Sequence, residues 1–177
     1  AAGVTGGETK TMKAGDLKIS GPYTHKNLSI YLIEGKETLP AEMELLTLDE
    51  ALKQKILVVH ETGNVNKLAV ENKSKDKVVF IQSGDVVKGG KQDRVLAVDL
   101  VVRAGSGKIP IDSFCVEQGR WARRGSEATT TFQSSRKRVT GKGLRYAMRG
   151  GRSGQSKVWK KVEEEQDKLS KKLKADV

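Results

Sequence analysis

The chain has 177 residues, 36% of them hydrophobic and 31% charged, with a formal charge of +11. That length supports one domain with a real core, and the lean apolar share predicts a modest core carrying solvated arms. No apolar run approaches the ~18 residues of a membrane helix, and the lone cysteine, Cys115, excludes an intrachain disulfide and a cysteine-held zinc.

The charge is uneven. From Gly119 to Lys161 there are 13 Lys or Arg against one acid, Glu127, so this segment carries +12 and the remainder −1. A near-neutral body therefore bears one basic segment, which reads either as a solvated arm or as a surface for an anionic partner such as nucleic acid.

Residues 1–15 are poor in apolar side chains and read as a disordered lead-in. The small residues of AAGVTGG suit a site left by removal of a targeting sequence, so the expected compartment is the cytoplasm or the exterior. Residues 16–121 form the expected β core. Leu17–Ile19 and Asn27–Ile33 read as strands, with a turn at Gly21-Pro22 and with Leu28, Ile30 and Leu32 on one face.

Thr47–Gln54 is a short helix, Thr47 and Glu50 having the spacing of a capping box. Ile56–Glu61, Lys67–Glu71, Val78–Ile81, Arg94–Val102 and Ile109–Glu117 are further strands. Pro110 restricts the last of them to an edge or a strand start. This spacing predicts a mainly β fold, an antiparallel β-sandwich or open barrel with a short internal helix.

Residues 122–157 form a basic, Gly/Ser-rich excursion with few apolar anchors. Residues 158–177 close the same domain as an amphipathic helix, with Trp159, Val162, Leu169 and Leu173 on one stripe and Ser153 or Ser156 as its cap. Acids at Glu163–Glu165 and bases at Lys171-Lys172 suit the helix dipole. The stripe suits core packing or a seam for a partner protein or second copy.

Two polar clusters, Lys91-Gln92-Asp93-Arg94 and Glu117-Gln118-Gly119-Arg120-Trp121, flank the strands at Arg94–Val102 and Ile109–Glu117. A turn centred on Gly105-Ser106 would oppose Arg94 to Glu117, Val102 to Ile109 and Asp99 to Asp112, bringing the clusters side by side. An exposed cross-strand salt bridge is the plain reading. A ligand or catalytic site is the functional one.

Gly84–Lys91 fails as a nucleotide phosphate loop, because an extra glycine intervenes, Gln92 follows the lysine and a strand follows both. The amides of Gly89 and Gly90 remain candidates for an anion-binding nest. Cys115 lies in an apolar alternation with only His25 and His60 available as bases, which favours a buried structural thiol over a nucleophile. His60 beside Glu61 lacks the further ligands of a metal site, and no metal or cofactor is expected.

GPYTHKNLSIYLI, LTLDEAL, LAVENKSKDKVVFIQSGD, GGKQDRVL, VRAGSGKIPI and CVEQGRW together resemble the ARG and rhodanese-phosphatase-superfamily-associated protein domain, from about Leu17 to Lys174. CVEQGRW beside the Lys-Gln-x-Arg cluster is the most specific part. The resemblance implies site positions at Gly84, Lys91, Gln92, Arg94, Cys115, Glu117, Gln118, Gly119, Arg120 and Trp121. It also implies a role around ADP-ribose or NAD-derived metabolites, through association with ADP-ribosylglycohydrolases. Asp85 stands where the family leads one to expect glutamate, and the family pattern continues past the helix into a strand-bearing segment that this sequence, ending at Val177, does not contain.

Three readings follow. In the first, the domain binds an anionic, ADP-ribose-like ligand: Lys91, Arg94 and Arg120 meet phosphate, Gln92 and Gln118 orient it, and Trp121 stacks on a ring. In the second, an enzyme uses Glu117 as general acid or base. In the third, an interaction protein uses the basic segment and the C-terminal helix.

Overall fold

The computed structural model describes residues 12–15, 17–36, 43–139, 141–149 and 154–173. Contacts divide the chain into two units, residues 1–42 and 43–177. The first is an antiparallel sheet of β1 (Met12–Ala14), β2 (Leu17–His25) and β3 (Leu28–Glu34), in that order. β1 falls inside the stretch expected to be a lead-in. Gly21-Pro22, expected to end a strand, instead lies within β2, where the ladder to β3 shifts between Ser20 and Tyr23.

The second unit is built on a six-stranded sheet. Its order is β12 (Phe132–Val139), β8 (Asp85–Gly89), β9 (Arg94–Leu96), β11 (Ile109–Cys115), β6 (Lys67–Asn72), β5 (Leu57–Glu61), and every pairing is antiparallel. The ends of the sheet meet: His60 bridges Thr131, and the Glu61 amide donates to the Thr130 carbonyl at 2.9 Å. The sheet is thus nearly closed into a barrel, which leaves little free edge to pair with another chain.

A smaller sheet places β7 (Val78–Ile81) between β10 (Leu100–Val102) and β4 (Leu45–Thr47), the last of which runs parallel to it. Helix α1 (Leu48–Lys53) starts at the expected capping box, with Thr47 and Glu50 bonded reciprocally. Leu46, Leu57, Val59, Leu68, Val70, Val79, Ile81, Leu96, Val102, Ile111 and Phe132 make the main core with α1.

Alternation along β9 and β11 sorts their side chains. Leu96 and Ile111 enter the main core, whereas Val95 and Phe114 face the other way. They meet Met148 of α2 (Lys142–Met148) and Val158 of α3 (Gly154–Leu173) in a second cluster.

The excursion expected over 122–157 carries β12 and α2. Phe132 is 4% exposed and Met148 4% exposed, so the few apolar anchors of this stretch suffice to dock it. The stripe on α3 is only partly the expected one, Val162 alone of its four members packing against the second cluster. Gly154 and Val158, four residues apart, are buried, while Leu169 and Leu173 stand in solvent. Ser156 lies inside the helix, and Ser153 falls outside the described residues.

The hairpin at Gly105-Ser106 does not form. β10 leaves to pair with β7, and β11 pairs first with β6 and then with β9. Exposed Val98 and Asp99 break the run between β9 and β10. The Asp99 carboxylate accepts from the Ser83 amide at 2.7 Å, and the Ser83 hydroxyl donates to the Ala97 carbonyl at 2.9 Å, which fixes the break.

Candidate functional site

The register of β9 and β11 decides what the two polar clusters become. Arg94 opposes Cys115 and not Glu117, a displacement of two residues that keeps each side chain on its expected face. Asp99 and Asp112 are not opposed: Asp112 pairs with Lys67 on β6. β9 begins at Arg94, and Gln92 and Asp93 lie in the turn that leads into it, so this short segment feeds two different environments.

Gln92 and Arg94 are buried, at 0% and 1% exposure, and alternation along β9 puts Arg94 on the Leu96 side of the sheet. The Arg94 guanidinium donates through Nη1 to the Val65 carbonyl at 2.6 Å and to the Cys115 sulfur, and through Nη2 to Glu61 Oε2 at 3.5 Å. The other Glu61 oxygen accepts the amides of Thr62 and Gly63, both at 3.1 Å. Arg94 Nε has no partner, and neither does the Gln92 amide nitrogen or oxygen. Ser113 Oγ and Asn66 Oδ1 are likewise buried and unpartnered.

Buried polar atoms are nearly always paired, so several unpaired ones at one end of a barrel are unusual. The opposite case is present in the same unit. Buried Asn72 donates to the carbonyls of Lys77 and Val102 at 2.8 and 3.1 Å and accepts from the Ser74 amide at 3.0 Å.

Asp93 faces the rim. Its carboxylate accepts from Arg120 and Arg124, each at 3.1 Å, and from the Gly89 amide at 3.2 Å. Glu117 accepts the Asp93 amide at 3.0 Å, Arg120 Nε at 2.7 Å, and Nη2 of both arginines. Arg120 Nη1 reaches the Ala122 carbonyl at 2.6 Å. Two acids and two guanidinium groups thus form one network, which Arg124 Nη1 extends to the Glu127 carboxylate at 3.7 Å. Arg124 belongs to it although the sequence reading assigned it no place there.

Burial pulls the Glu117 carboxyl upward, but the Arg120 and Asp93 hydrogen bonds and the two arginine charges outweigh it and hold the group below the usual carboxylate range. It is an ionised, fully donated-to carboxylate, an arrangement that suits a structural anchor better than a proton donor.

Lys91, Gln118 and Trp121 are exposed, Trp121 by 49%. Gln118 lines a surface cleft of about 380 Å³ between the Val116–Arg120 loop and α3, with Trp159 and Gln166 on its helical wall. The Gly89-Gly90 nest is not free for an anion: the Gly89 amide is held by Asp93 and the Gly90 amide by the Ala128 carbonyl at 2.9 Å. Gly90 has φ +58°, and a Cβ there would stand 2.6 Å from the Phe132 ring and 2.8 Å from Glu61 Oε2.

Cys115 is buried, and burial pushes its thiol above the ordinary range against the lowering effect of Arg94. A protonated, enclosed thiol is a poor nucleophile. His60 bonds to Glu71 at 2.8 Å, not to its neighbour Glu61. Among the described residues no cluster of His, Cys, Asp or Glu has the makings of a metal site.

Two contributors lay beyond sequence reasoning. Glu61 arrives from β5 as the partner of Arg94. Gln155 of α3 clasps the end of β11, its amide accepting from the Cys115 amide at 3.0 Å and donating to the Cys115 carbonyl at 2.8 Å. Only the backbone of Cys115 is read by Gln155, so no pairing of residue types announces the contact.

The family model of the ARG and Rhodanese-Phosphatase-superfamily-associated Protein domain matches residues 16–176. No curated protein and no solved structure is matched by the chain.

Proposed function

The chain belongs to that domain family, and from this and the site we propose that it is a binding module for a small anionic ligand, seated at the polar end of the barrel. The observation that carries the reading is the set of buried donors and acceptors left unpaired around Arg94, above all its Nε and the whole Gln92 amide. A phosphate or carboxylate offers the acceptors that Arg94 lacks, and guanidinium suits such groups geometrically. The Gln92 amide then orients the ligand.

The way in is the β5–β6 loop, exposed over residues 62–65, whose Val65 carbonyl now occupies Arg94 Nη1. A ligand oxygen replacing that carbonyl keeps the guanidinium satisfied while the loop moves aside. Lys91, Gln118 and Trp121 at the rim meet the remainder of the ligand, Trp121 by stacking. Arg120 positions Asp93 and Glu117 instead of meeting phosphate itself.

The proposed ligand class is ADP-ribose or an NAD-derived metabolite, on the strength of the family's association with ADP-ribosylglycohydrolases. The enzymatic alternative, with Glu117 as general acid or base, draws less support because its oxygens already accept from two arginines and a backbone amide.

Titration calorimetry with ADP-ribose, NAD, ADP and ribose 5-phosphate tests the proposal. Arg94→Lys keeps the charge but removes Nε and the planar fork, and should weaken binding by about tenfold or more. Absence of binding by all four compounds, or equal affinity in a folded Arg94→Lys variant, would overturn it.

A further inference from the structure

The basic segment of the chain runs into α2 and α3, and between these helices it forms a groove of about 570 Å³. Tyr146 and Arg149 line it from the α2 side, and Lys157, Lys160 and Lys161 from α3. Lys161 is already committed, pairing with Glu164 at 2.8 Å and Glu165 at 3.5 Å. The acid of the groove is thereby neutralised. Arg149, Lys157 and Lys160 are exposed, and among the described residues none of them forms a salt bridge.

Tyr146 is 75% exposed, the most exposed large hydrophobic residue among the described residues. A ring held in water beside three unpaired cations lacks the burial that normally repays an aromatic side chain. The packing of α2 does not need it, since Met148 supplies the buried contact.

We propose that this groove binds single-stranded nucleic acid, with one base stacked on Tyr146 and neighbouring phosphates held by Arg149, Lys157 and Lys160. Charge tracking along a backbone combined with an aromatic platform is how proteins hold single strands without reading their sequence. A peptide of Asp and Glu would satisfy the cations but brings no aromatic ring to stack on Tyr146. The site is separate from Arg94 and stands or falls independently of the ligand proposed there.

Fluorescence anisotropy of the whole chain with a short labelled oligouridylate tests the assignment. Three phosphate contacts should make affinity fall about 20-fold between roughly 50 and 200 mM salt. Arg149→Glu with Lys160→Glu should remove binding. Tyr146→Ala should weaken it by about tenfold, and Tyr146→Phe should retain it. These side chains are exposed, so circular dichroism should be unchanged in each variant. No saturable binding, wild-type affinity in Tyr146→Ala, or equal competition by polyglutamate would overturn the proposal, the last in favour of an acidic protein partner.

Discussion

The rim network and the barrel interior are fed by neighbouring residues of one segment, yet they treat polar groups in opposite ways. Asp93 and Glu117 at the rim are met by two arginines and two backbone amides. One residue to either side, Gln92 and Arg94 are more deeply buried and carry unpaired atoms. The better-buried set is the less satisfied one, which reverses what stability alone would select. Rim interactions hold the 116–124 loop against β9, while the interior retains hydrogen-bonding capacity that the fold does not use.

The sharpest way to break this contrast is to remove Arg94. Arg94→Ala leaves Glu61, whose side chain is 9% exposed, without its cation, and should cost about 3–5 kcal/mol in denaturant unfolding. Gly90→Ala tests the enclosure itself. A left-handed backbone combined with two close contacts should cost about 2 kcal/mol or more, measured the same way.

At the rim the effects are smaller and depend on pH. Glu117→Gln should cost about 1 kcal/mol at neutral pH, because the network is partly exposed. The folded state holds the Glu117 carboxyl below its unfolded value of about 4.3, so its contribution is complete above that pH. It is lost as pH falls through the lower folded value, and the gap between wild type and Glu117→Gln should close there in urea titrations.

Much of the fold was legible because apolar alternation and the Thr47 capping box are local signals. The pairing of β9 with β11 was not. Leu96, Val98, Leu100 and Val102 alternate as one strand would, and nothing local shows that Asp99 serves Ser83 and ends β9 early. The clusters at 91–94 and 117–121 do meet, through Asp93 with Glu117 and Arg120, but the guessed Arg94–Glu117 pair was two residues out of register. Glu61 and Gln155 were invisible as partners because chain closure brings them in from 33 and 40 residues away. β12 and α2 were hidden by composition, since Phe132 and Met148 are the buried apolar anchors among their described side chains.

A stability change of the opposite sign tests the central claim most directly. Gln92→Met replaces an unpaired buried amide with an apolar side chain of similar size, which should raise stability by about 1 kcal/mol while removing an orienting group. Thermal unfolding of wild type and Gln92→Met, each with and without ADP-ribose, reads both effects at once. The account predicts a higher melting temperature for the free variant and a ligand-induced rise in wild type that the variant loses. A variant that melts below wild type, or that gains as much as wild type from the ligand, would contradict it.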